Sequence, residues 1–319
     1  MSVAGEIAPA QTVAAQPPLE EAYAICRQIA RREAKNFYYS FVALPPARRN
    51  AICAIYAFMR KADDLSDDES ISREERKRSL DKWLAAWQAA REGASTPDPV
   101  FVAVRDAAAR FSIPFSLLDQ LVAGTTMDLE APASAAEPDT YATFADLYRY
   151  CYLVASVVGL VCIRIFGYSD PAAEHYAEET GIAFQLTNIL RDVKEDAERN
   201  RIYLPLEDLA AYGVTVAELR QHEAGPVTEA ERRLLAAIAA RAEAYYRSAE
   251  KLLPLIDAES RPALGVLVAI YHRLLQRITR SGFEVFRERI SVPTSEKLAI
   301  LLKGMAQVGL VRLRQSISS

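Results

Sequence analysis

The chain has 319 residues, of which 51% are hydrophobic and 25% charged, and 42 acidic against 38 basic side chains give a formal net charge of −4. This composition is typical of a soluble globular protein and excludes a disordered chain. The near-even charge gives no electrostatic footprint for nucleic acid, and only three histidines argue against a zinc site built on imidazoles.

Residues 1–18 are rich in Ala, Pro and Gln and lack a signal-peptide pattern. We predict a flexible tail over 1–18 and a single domain over 19–319. The four cysteines form no CxxC pair, which predicts buried reduced thiols and favours a cytoplasmic location. The longest apolar run, 153–163, has 11 residues, whereas a bilayer span needs about 20.

Apolar residues recur at helical spacing along nearly the whole chain. The predicted helices are 19–33, 47–65, 71–91, 99–111, 114–125, 141–167, 171–198, 227–254, 259–282 and 294–315. Breakers such as Leu44-Pro45-Pro46 separate them, and 130–139 is predicted as a surface loop. The segments 141–167, 176–190 and 263–275 are apolar on nearly every face, which predicts central helices around a cavity. We therefore expect one all-α helical bundle.

A first acidic cluster follows the apolar helical segment 51–59. Asp63 and Asp67 are four residues apart and share a helix face, and Asp64 and Asp68 form a second such pair. Like charges at this spacing, near the negative end of a helix dipole, destabilise the helix unless cations sit nearby. A solvated acidic helix end remains the alternative.

A second polar stripe contains Asn188, Asp192 and Asp196, each one helical turn from the next. Gln185 extends the stripe by one turn, and apolar residues flank it. An ordinary amphipathic helix remains the alternative.

Together the two clusters point to metal-assisted chemistry. Carboxylate and amide oxygens are hard ligands that suit Mg²⁺, which prefers one or two carboxylates together with water and phosphate oxygens. Two facing helices of this kind would hold two or three Mg²⁺ ions around a diphosphate, above an apolar cavity for a hydrocarbon. Such ions neutralise a leaving diphosphate, and aromatic faces stabilise a developing carbocation.

These residues resemble the motifs of the squalene/phytoene synthase family over about 35–300. Tyr56, Arg60, Asp63 and Asp67 match the first family motif; Asn188, Asp192 and Asp196, followed by the segment 201–205, match the second. The segments 36–41 and 150–159 resemble the family's N-terminal aromatic segment and its central cavity helix. The resemblance implies the all-α isoprenoid synthase fold and an enzyme that joins two allylic prenyl diphosphates head to head.

The resemblance also implies residue roles. The implied metal ligands are Asp63, Asp67, Asn188, Asp192 and Asp196. The implied catalytic residues are Asp63, Asp67, Asp192, Asp196, Tyr56, Tyr150 and Tyr271. The implied substrate-binding residues are Lys35, Phe37, Phe41, Arg60, Asp64, Val158, Gly159, Gln185, Asn188, Arg201 and Tyr203. Core packing is the alternative for Tyr150, Tyr271, Phe37 and Phe41, and helix capping is the alternative for Arg201.

The segments 51–60 and 181–192 resemble the hopanoid-pathway presqualene diphosphate synthases. The expected reaction is therefore Mg²⁺-dependent condensation of two farnesyl diphosphates to presqualene diphosphate, with NADPH not expected in this first half-reaction. Phytoene synthase and dehydrosqualene or squalene synthase are the alternatives within the family, and a non-catalytic helical scaffold is the alternative of another class. A terpene cyclase motif would carry Ser or Thr where this chain has Asp192, and a chain-elongating enzyme would show a second Asp-Asp-x-x-Asp box.

The expected partners are allylic prenyl diphosphates, with no nucleic acid. The segment 298–311 is interrupted by Lys303 and Gln307, so it is predicted as an amphipathic helix and not a span. Transient contact with a membrane, and a cytoplasmic location at its inner face, follow as hypotheses. Monomer and weak dimer both remain open.

Overall fold

The computed structural model describes residues 15–68, 70–130, 139–222 and 225–317, with the side chains of 35–37, 39, 125, 126, 128–130 and 307–317 left outside the description. Most of the predicted tail and of the predicted loop at 130–139 thus lies outside the described residues.

Fourteen α-helices make up nearly all of the regular structure in these ranges. They are α1 Leu19–Glu33, α2 Lys35–Val42, α3 Pro46–Ser66, α4 Arg73–Arg91, α5 Pro99–Arg110, α6 Phe115–Glu130, α7 Phe144–Cys151, α8 Val157–Phe166, α9 Ala172–Glu198, α10 Leu206–Tyr212, α11 Val216–Arg220, α12 Glu229–Leu252, α13 Arg261–Arg280 and α14 Thr294–Ile317. Two short strands, β1 Asp139–Thr140 and β2 Arg201–Ile202, pair in parallel. The all-α prediction is confirmed.

The prediction missed three short helices, α2, α10 and α11. α10 and α11 have seven and five residues, which is too short to show a helical repeat of apolar residues. α2 has eight residues and follows α1 after Ala34 alone, whose backbone is itself nearly helical. The Leu44-Pro45-Pro46 boundary is confirmed, because Pro45 stands at the N-cap of α3 and Pro46 in its first turn.

The prediction of one continuous helix over 141–167 was wrong in two respects. The helix begins only at Phe144, where Thr143 and Asp146 form a reciprocal capping box. A π-helical turn, Tyr152–Ser156, then separates α7 from α8. Such turns are rare and often lie at functional sites.

Two glycines let neighbouring helices approach this π-turn. A Cβ added at Gly181 of α9 would lie 2.6 Å from Ser156 Cα, and one added at Gly124 of α6 would lie 2.8 Å from the Leu153 carbonyl oxygen. Ser156 is fully buried and donates its hydroxyl to the Glu178 carbonyl at 2.7 Å. The irregular turn is therefore clamped between two backbones.

α9 lies at the centre of the bundle, where it contacts α7, the π-turn, α8, α11, α12, α13 and β2. α3 packs against α1, α5 and α6, and it also contacts α8. Phe58 of α3 forms an aromatic cluster with Trp83, Trp87 and Phe101, with ring centroids 4.9–6.5 Å from it. The prediction that the most apolar segments are central is confirmed for α9.

The stretch Phe144–Phe166 is the one part of the described chain that is long and apolar enough to cross a membrane. In the fold it packs between α6 and α9, so its apolar character serves the bundle interior. The cysteines are free thiols, with Cys26, Cys53 and Cys151 buried. Burial raises the pKa of the Cys53 thiol to about 11, which keeps it protonated and unreactive.

Candidate active site

Asp63 and Asp67 open onto a pocket of about 190 Å³ between α3, α6 and the π-turn with α8. Asp63 lies in the last turn of α3, and Asp67 is the residue that caps this helix. The pocket lining consists of Met59, Asp63, Asp67, Leu121, Gly124, Tyr150, Leu153, Val154 and Val158. Two acids thus stand beside a wall that is otherwise almost entirely apolar, and the structure brings them together with Tyr150 and Val158.

Gly159 lies next to this pocket but outside its lining. A Cβ at this position would lie 3.1 Å from the Ala177 carbonyl oxygen, so Gly159 faces α9 and permits close helix packing there. Gly159 therefore lies against α9, while Val158 beside it lines the pocket.

The last two turns of α3 place an ion pair and a tyrosine beside the acids. Arg60 and Asp64 pair at 2.7 Å, with both side chains about half exposed. Burial raises the pKa of Tyr56, one turn earlier, while the Arg60 charge acts in the opposite direction. Phe41 of α2 packs edge-on against the Tyr56 ring at 6.2 Å. The predicted substrate contacts Lys35 and Phe37 have side chains outside the described part of the chain.

On α9, two arginines hold the middle acid of the polar stripe. Arg191 Nε donates to Asp192 Oδ1 at 2.8 Å, and Arg289, from the segment after α13, donates its Nε to the same oxygen at 2.9 Å. Burial opposes ionisation of Asp192, but the two guanidiniums prevail and its pKa lies below the usual range. Arg191 thus forms its ion pair with the adjacent Asp192.

Asp196 and Asn188, the other members of the stripe, carry oxygen atoms that a nearby positive charge would stabilise. Burial, together with repulsion from Asp192, raises the pKa of Asp196 to about 7, although Arg201 and Arg199 act to lower it. Asn188 Oδ1 is buried and accepts no hydrogen bond in the described structure, while its amide nitrogen lies 3.4 Å from Gln185 Oε1. These residues fit a bound cation.

Tyr271 of α13 connects the two acidic regions. Burial raises its pKa to about 12, and a hydrogen bond with Asn188 and the charge of Arg191 act in the other direction. Tyr56 of α3 is also among its electrostatic neighbours. The Tyr271 ring stacks on Phe184 of α9 at 4.5 Å. The hydroxyl therefore stays protonated at neutral pH, between α3 and α9.

A second group of tyrosines covers the far end of the α9 stripe. The Tyr150 and Tyr203 rings stack at 4.9 Å with their hydroxyl oxygens 3.2 Å apart, and both residues are buried. Tyr141, the residue that follows β1, stacks on Tyr203 and contacts Tyr150 with a tilted ring. Because β1 pairs with Arg201–Ile202, the strand pair fixes Arg201 and Tyr203 next to Asp196.

A further pocket of about 360 Å³ lies beside Asp192 and carries positive charge. Its lining includes Arg191, Tyr271, Arg289, Ser291 and Lys297. Burial and the Arg191 charge lower the pKa of Lys297. The acidic stripe and the basic pocket thus meet at Asp192. In a metal-bound diphosphate, carboxylates would hold the metal ions and basic side chains would contact the phosphate oxygens.

No local pattern predicts Arg289, Lys297 and Tyr141 as site residues, because their positions follow from tertiary packing. Gly124 and Gly181 were not predicted either. Here a pattern existed, because a glycine within a helix usually has a packing reason, and the chain has only 12 glycines.

The donor set fits Mg²⁺ held jointly by protein and diphosphate. No three or more His, Cys, Asp or Glu side chains form a closed metal site within the ranges that the structure describes. Mg²⁺ does not need such a cage, because substrate phosphate and water complete its octahedral shell. Asp63 and Asp67 from α3, and Asn188, Asp192 and Asp196 from α9, would supply the protein oxygens.

Comparison with known proteins gives a uniform result. A family model described as squalene/phytoene synthase matches residues 30–296. The chain is 36% identical over 294 residues to a phytoene synthase from Arthrospira platensis, covering 88% of this chain and 91% of the relative. It is 35% identical to a phytoene synthase from Mycobacterium tuberculosis, covering 90% and 92%.

Solved structures agree. A dehydrosqualene synthase in complex with a ligand superposes with a TM-score of 0.78 at 29% identity, covering 91% of this chain and 98% of that one. The squalene synthase HpnC from Alicyclobacillus acidocaldarius superposes with a TM-score of 0.73 at 28% identity, covering 83% and 95%.

Proposed function

Because the chain belongs to the squalene/phytoene synthase family of prenyltransferases, we propose that it condenses two farnesyl diphosphates head to head to presqualene diphosphate and releases one diphosphate. The observation that carries this proposal is the pair Asp63 and Asp67 at an apolar pocket lined by Tyr150 and Val158. An acidic mouth on an apolar wall matches a substrate with a diphosphate head and a hydrocarbon tail.

The proposed condensation breaks one C–O and one C–H bond and forms two carbon–carbon bonds. The C1–O bond of one molecule breaks, and the diphosphate leaves with the bonding electrons. The double bond of the second molecule attacks C1 and forms one carbon–carbon bond. Loss of a proton forms a second carbon–carbon bond and closes a cyclopropane, and the second diphosphate stays on the product. No reductant enters, so NADPH is not expected in this half-reaction.

Mg²⁺, when bound, supplies the positive charge that stabilises the departing diphosphate. We assign Asp63, Asp67, Asn188, Asp192 and Asp196 to holding two or three such ions. Arg60 and Arg201 would contact the diphosphate oxygens directly, supported by Asp64, Gln185 and Tyr203.

The tyrosines surround the place where charge develops. Tyr56 is half-buried and Tyr271 is buried, and aromatic faces stabilise a nearby cation. Tyr150 lines the pocket, and we propose that its hydroxyl, 3.2 Å from that of Tyr203, takes part in proton removal. Phe41 and Val158 contribute apolar surface for the chain.

A second candidate is the same condensation of two geranylgeranyl diphosphates, followed by loss of the second diphosphate and a proton to give phytoene. The observation in its favour is that the similar curated proteins are named phytoene synthases at 34–36% identity. Dehydrosqualene and squalene synthesis have the support of the two superposed structures.

Product analysis by mass spectrometry decides among these. The protein is incubated with farnesyl or geranylgeranyl diphosphate, with Mg²⁺, and with or without NADPH. A C30 cyclopropyl diphosphate as end product supports the proposal. Phytoene from the C20 substrate selects the second candidate, and C30 hydrocarbon that appears only with NADPH selects squalene synthesis.

Release of diphosphate separates an enzyme from a scaffold. We expect the double variant Asp63→Ala/Asp192→Ala to lose Mg²⁺-dependent release by at least about a thousandfold, since it removes one acid from each cluster. The control is Asp68→Asn, an exposed acid five residues beyond Asp63 that lies outside the pocket lining. Release by the double variant at the wild-type rate would refute the metal assignment.

We further propose a cytoplasmic location at the inner face of the membrane. The free thiols support a reducing compartment, and an apolar product would partition into lipid. Fractionation of cells that express the full chain tests this, and recovery from a secreted fraction would contradict it.

A further inference from the structure

The outer face of α14 carries an exposed apolar stripe. Five large hydrophobic side chains are exposed in the described part of the chain, and three of them lie on this helix. Leu298 is 44%, Leu302 67% and Met305 46% exposed. Their spacing of four and three residues places them on one helix face. The other two, Leu19 and Phe115, lie on different helices.

The opposite face of α14 is already used by the fold. Leu301 is buried, and the helix packs against α13 and α2. Glu296 in its first turn pairs with Arg273 and Arg277 of α13, the latter at 3.6 Å. The helix is therefore anchored through its inner face, and the outer stripe is surface that the bundle does not need.

The same helix is basic in an acidic protein. Between Thr294 and Ile317 four basic residues, Lys297, Lys303, Arg312 and Arg314, stand against the single acid Glu296, whereas the whole chain has a net charge of −4. Lys303 is exposed and adjoins Leu302. An apolar stripe on a basic helix is the combination that binds anionic lipid, because apolar side chains enter the interface and cations meet the headgroups.

We propose that the stripe Leu298, Leu302 and Met305 docks α14 in the plane of an anionic lipid bilayer. A second copy of the chain fits less well. A symmetric dimer would place this basic helix against itself, and three side chains fall well short of the roughly 1,200–2,000 Å² that a stable protein interface buries.

Docking of α14 would also bring the candidate active site to the bilayer. Lys297, directly before Leu298, lines the basic pocket that contains Tyr271 and Arg289. The start of the docked helix is thus the edge of the site. This benefit rests on the proposed function, since a hydrocarbon substrate would exchange with lipid there, whereas the docking itself does not depend on the reaction.

Flotation with vesicles tests the docking on the full chain. We expect the wild-type protein to float with vesicles of mixed phosphatidylglycerol and phosphatidylcholine, and to float at least about fivefold less with phosphatidylcholine alone. Leu302→Glu should reduce flotation with the anionic vesicles about tenfold or more, because it puts a charge into the apolar contact. Lys303→Glu should reduce it severalfold and make the remaining binding less sensitive to salt, because one cation that meets the headgroups is gone.

The matched control is Leu19→Glu, the same change at an exposed leucine of α1. It should float like the wild type. Wild-type protein that stays unbound, Leu302→Glu that floats normally, or equal binding to neutral and anionic vesicles would each overturn the docking. A wild-type dimer that Leu302→Glu dissociates in sedimentation equilibrium would assign the stripe to a second copy and overturn it as well.

Diphosphate release from substrate in detergent-free buffer keeps the two proposals apart. Leu302 lies outside the candidate active site, so Leu302→Glu should release diphosphate at the wild-type rate. Loss of flotation with normal release supports docking, while a wild-type protein that floats but releases no diphosphate contradicts only the proposed reaction.

Discussion

Arg289 reaches Asp192 across 97 positions of sequence, and its Nε and one Nη lie 2.9 and 2.8 Å from the same carboxylate oxygen. Arg191 binds this carboxylate from the neighbouring position on α9. The middle acid of the stripe is therefore neutralised by protein cations. A metal ion that binds there has to compete with both guanidiniums.

Replacement of Arg289 should strengthen metal binding in the absence of substrate. In Arg289→Met we expect the affinity for Mn²⁺, as a spectroscopic substitute for Mg²⁺, to rise about fivefold, because a competing and repelling charge next to Asp192 is gone. Electron paramagnetic resonance of free Mn²⁺ measures this.

Arg287→Met, two residues away on the exposed surface, is the control and should leave the affinity unchanged. Weaker Mn²⁺ binding by Arg289→Met than by the control would show that Arg289 supports the metal site and does not compete with it.

Gly181→Ala should destabilise the fold, because its Cβ would lie 2.6–2.7 Å from the Ser156 backbone. Overpacking of this kind costs about 1–3 kcal/mol, which urea-induced unfolding followed by circular dichroism measures. Gly265→Ala within α13 is the control, since the nearest atom to its Cβ is 3.8 Å away, and we expect it to stabilise the protein by up to about 1 kcal/mol. Equal effects at both positions would contradict the clamp on the π-turn.

Val158→Phe should select against the longer substrate, because the larger ring takes space from the pocket wall. We expect the ratio of kcat/KM for the C20 over the C15 diphosphate to fall about tenfold. Val158→Ala enlarges the same wall and should move the ratio in the opposite direction. If both variants leave the ratio unchanged while melting normally, the chain does not lie against Val158.

Unfolding should become easier at alkaline pH because of Tyr271. Its pKa is raised to about 12 in the folded protein, against about 10 in an unfolded chain. Above pH 10 the unfolded state loses this proton first and binds fewer protons than the folded state, so stability falls as pH rises towards 12. The contribution is about 2–3 kcal/mol.

Tyr271→Phe keeps the ring stacked on Phe184 but removes the titrating hydroxyl. Its free energy of unfolding, from urea titrations between pH 8 and 11, should decline less steeply than that of the wild type. Parallel curves for the two proteins would show that Tyr271 does not contribute to the alkaline loss.

Long helices were predictable from sequence because many turns repeat one apolar face. The predicted helix 19–33 coincides with α1, and the predicted start at 294 is that of α14. Short helices such as α11 offer a single turn, and the apolar sequence runs through the π-turn at Tyr152–Ser156 without a breaker that would mark it.

In the candidate site, too, residues placed by helix geometry were predictable and residues placed by tertiary packing were not. Asn188, Asp192 and Asp196 share a face because helix geometry sets it locally, and this was readable from their spacing. The arrival of Arg289 at Asp192 depends on how the segment after α13 packs, which no local pattern encodes.

The π-turn also determines the directions in which side chains of α7 and α8 project at the cavity wall. Tyr150 and Val158 are eight residues apart, which on a continuous α-helix of 3.6 residues per turn would rotate them about 80° from each other. The wide turn at Tyr152–Ser156 absorbs one residue, so the effective separation is seven and the two side chains return to within about 20°. Both do line the same pocket. The extra residue in the π-turn thus realigns α7 and α8, so that Tyr150 and Val158 lie on one continuous face of the cavity wall.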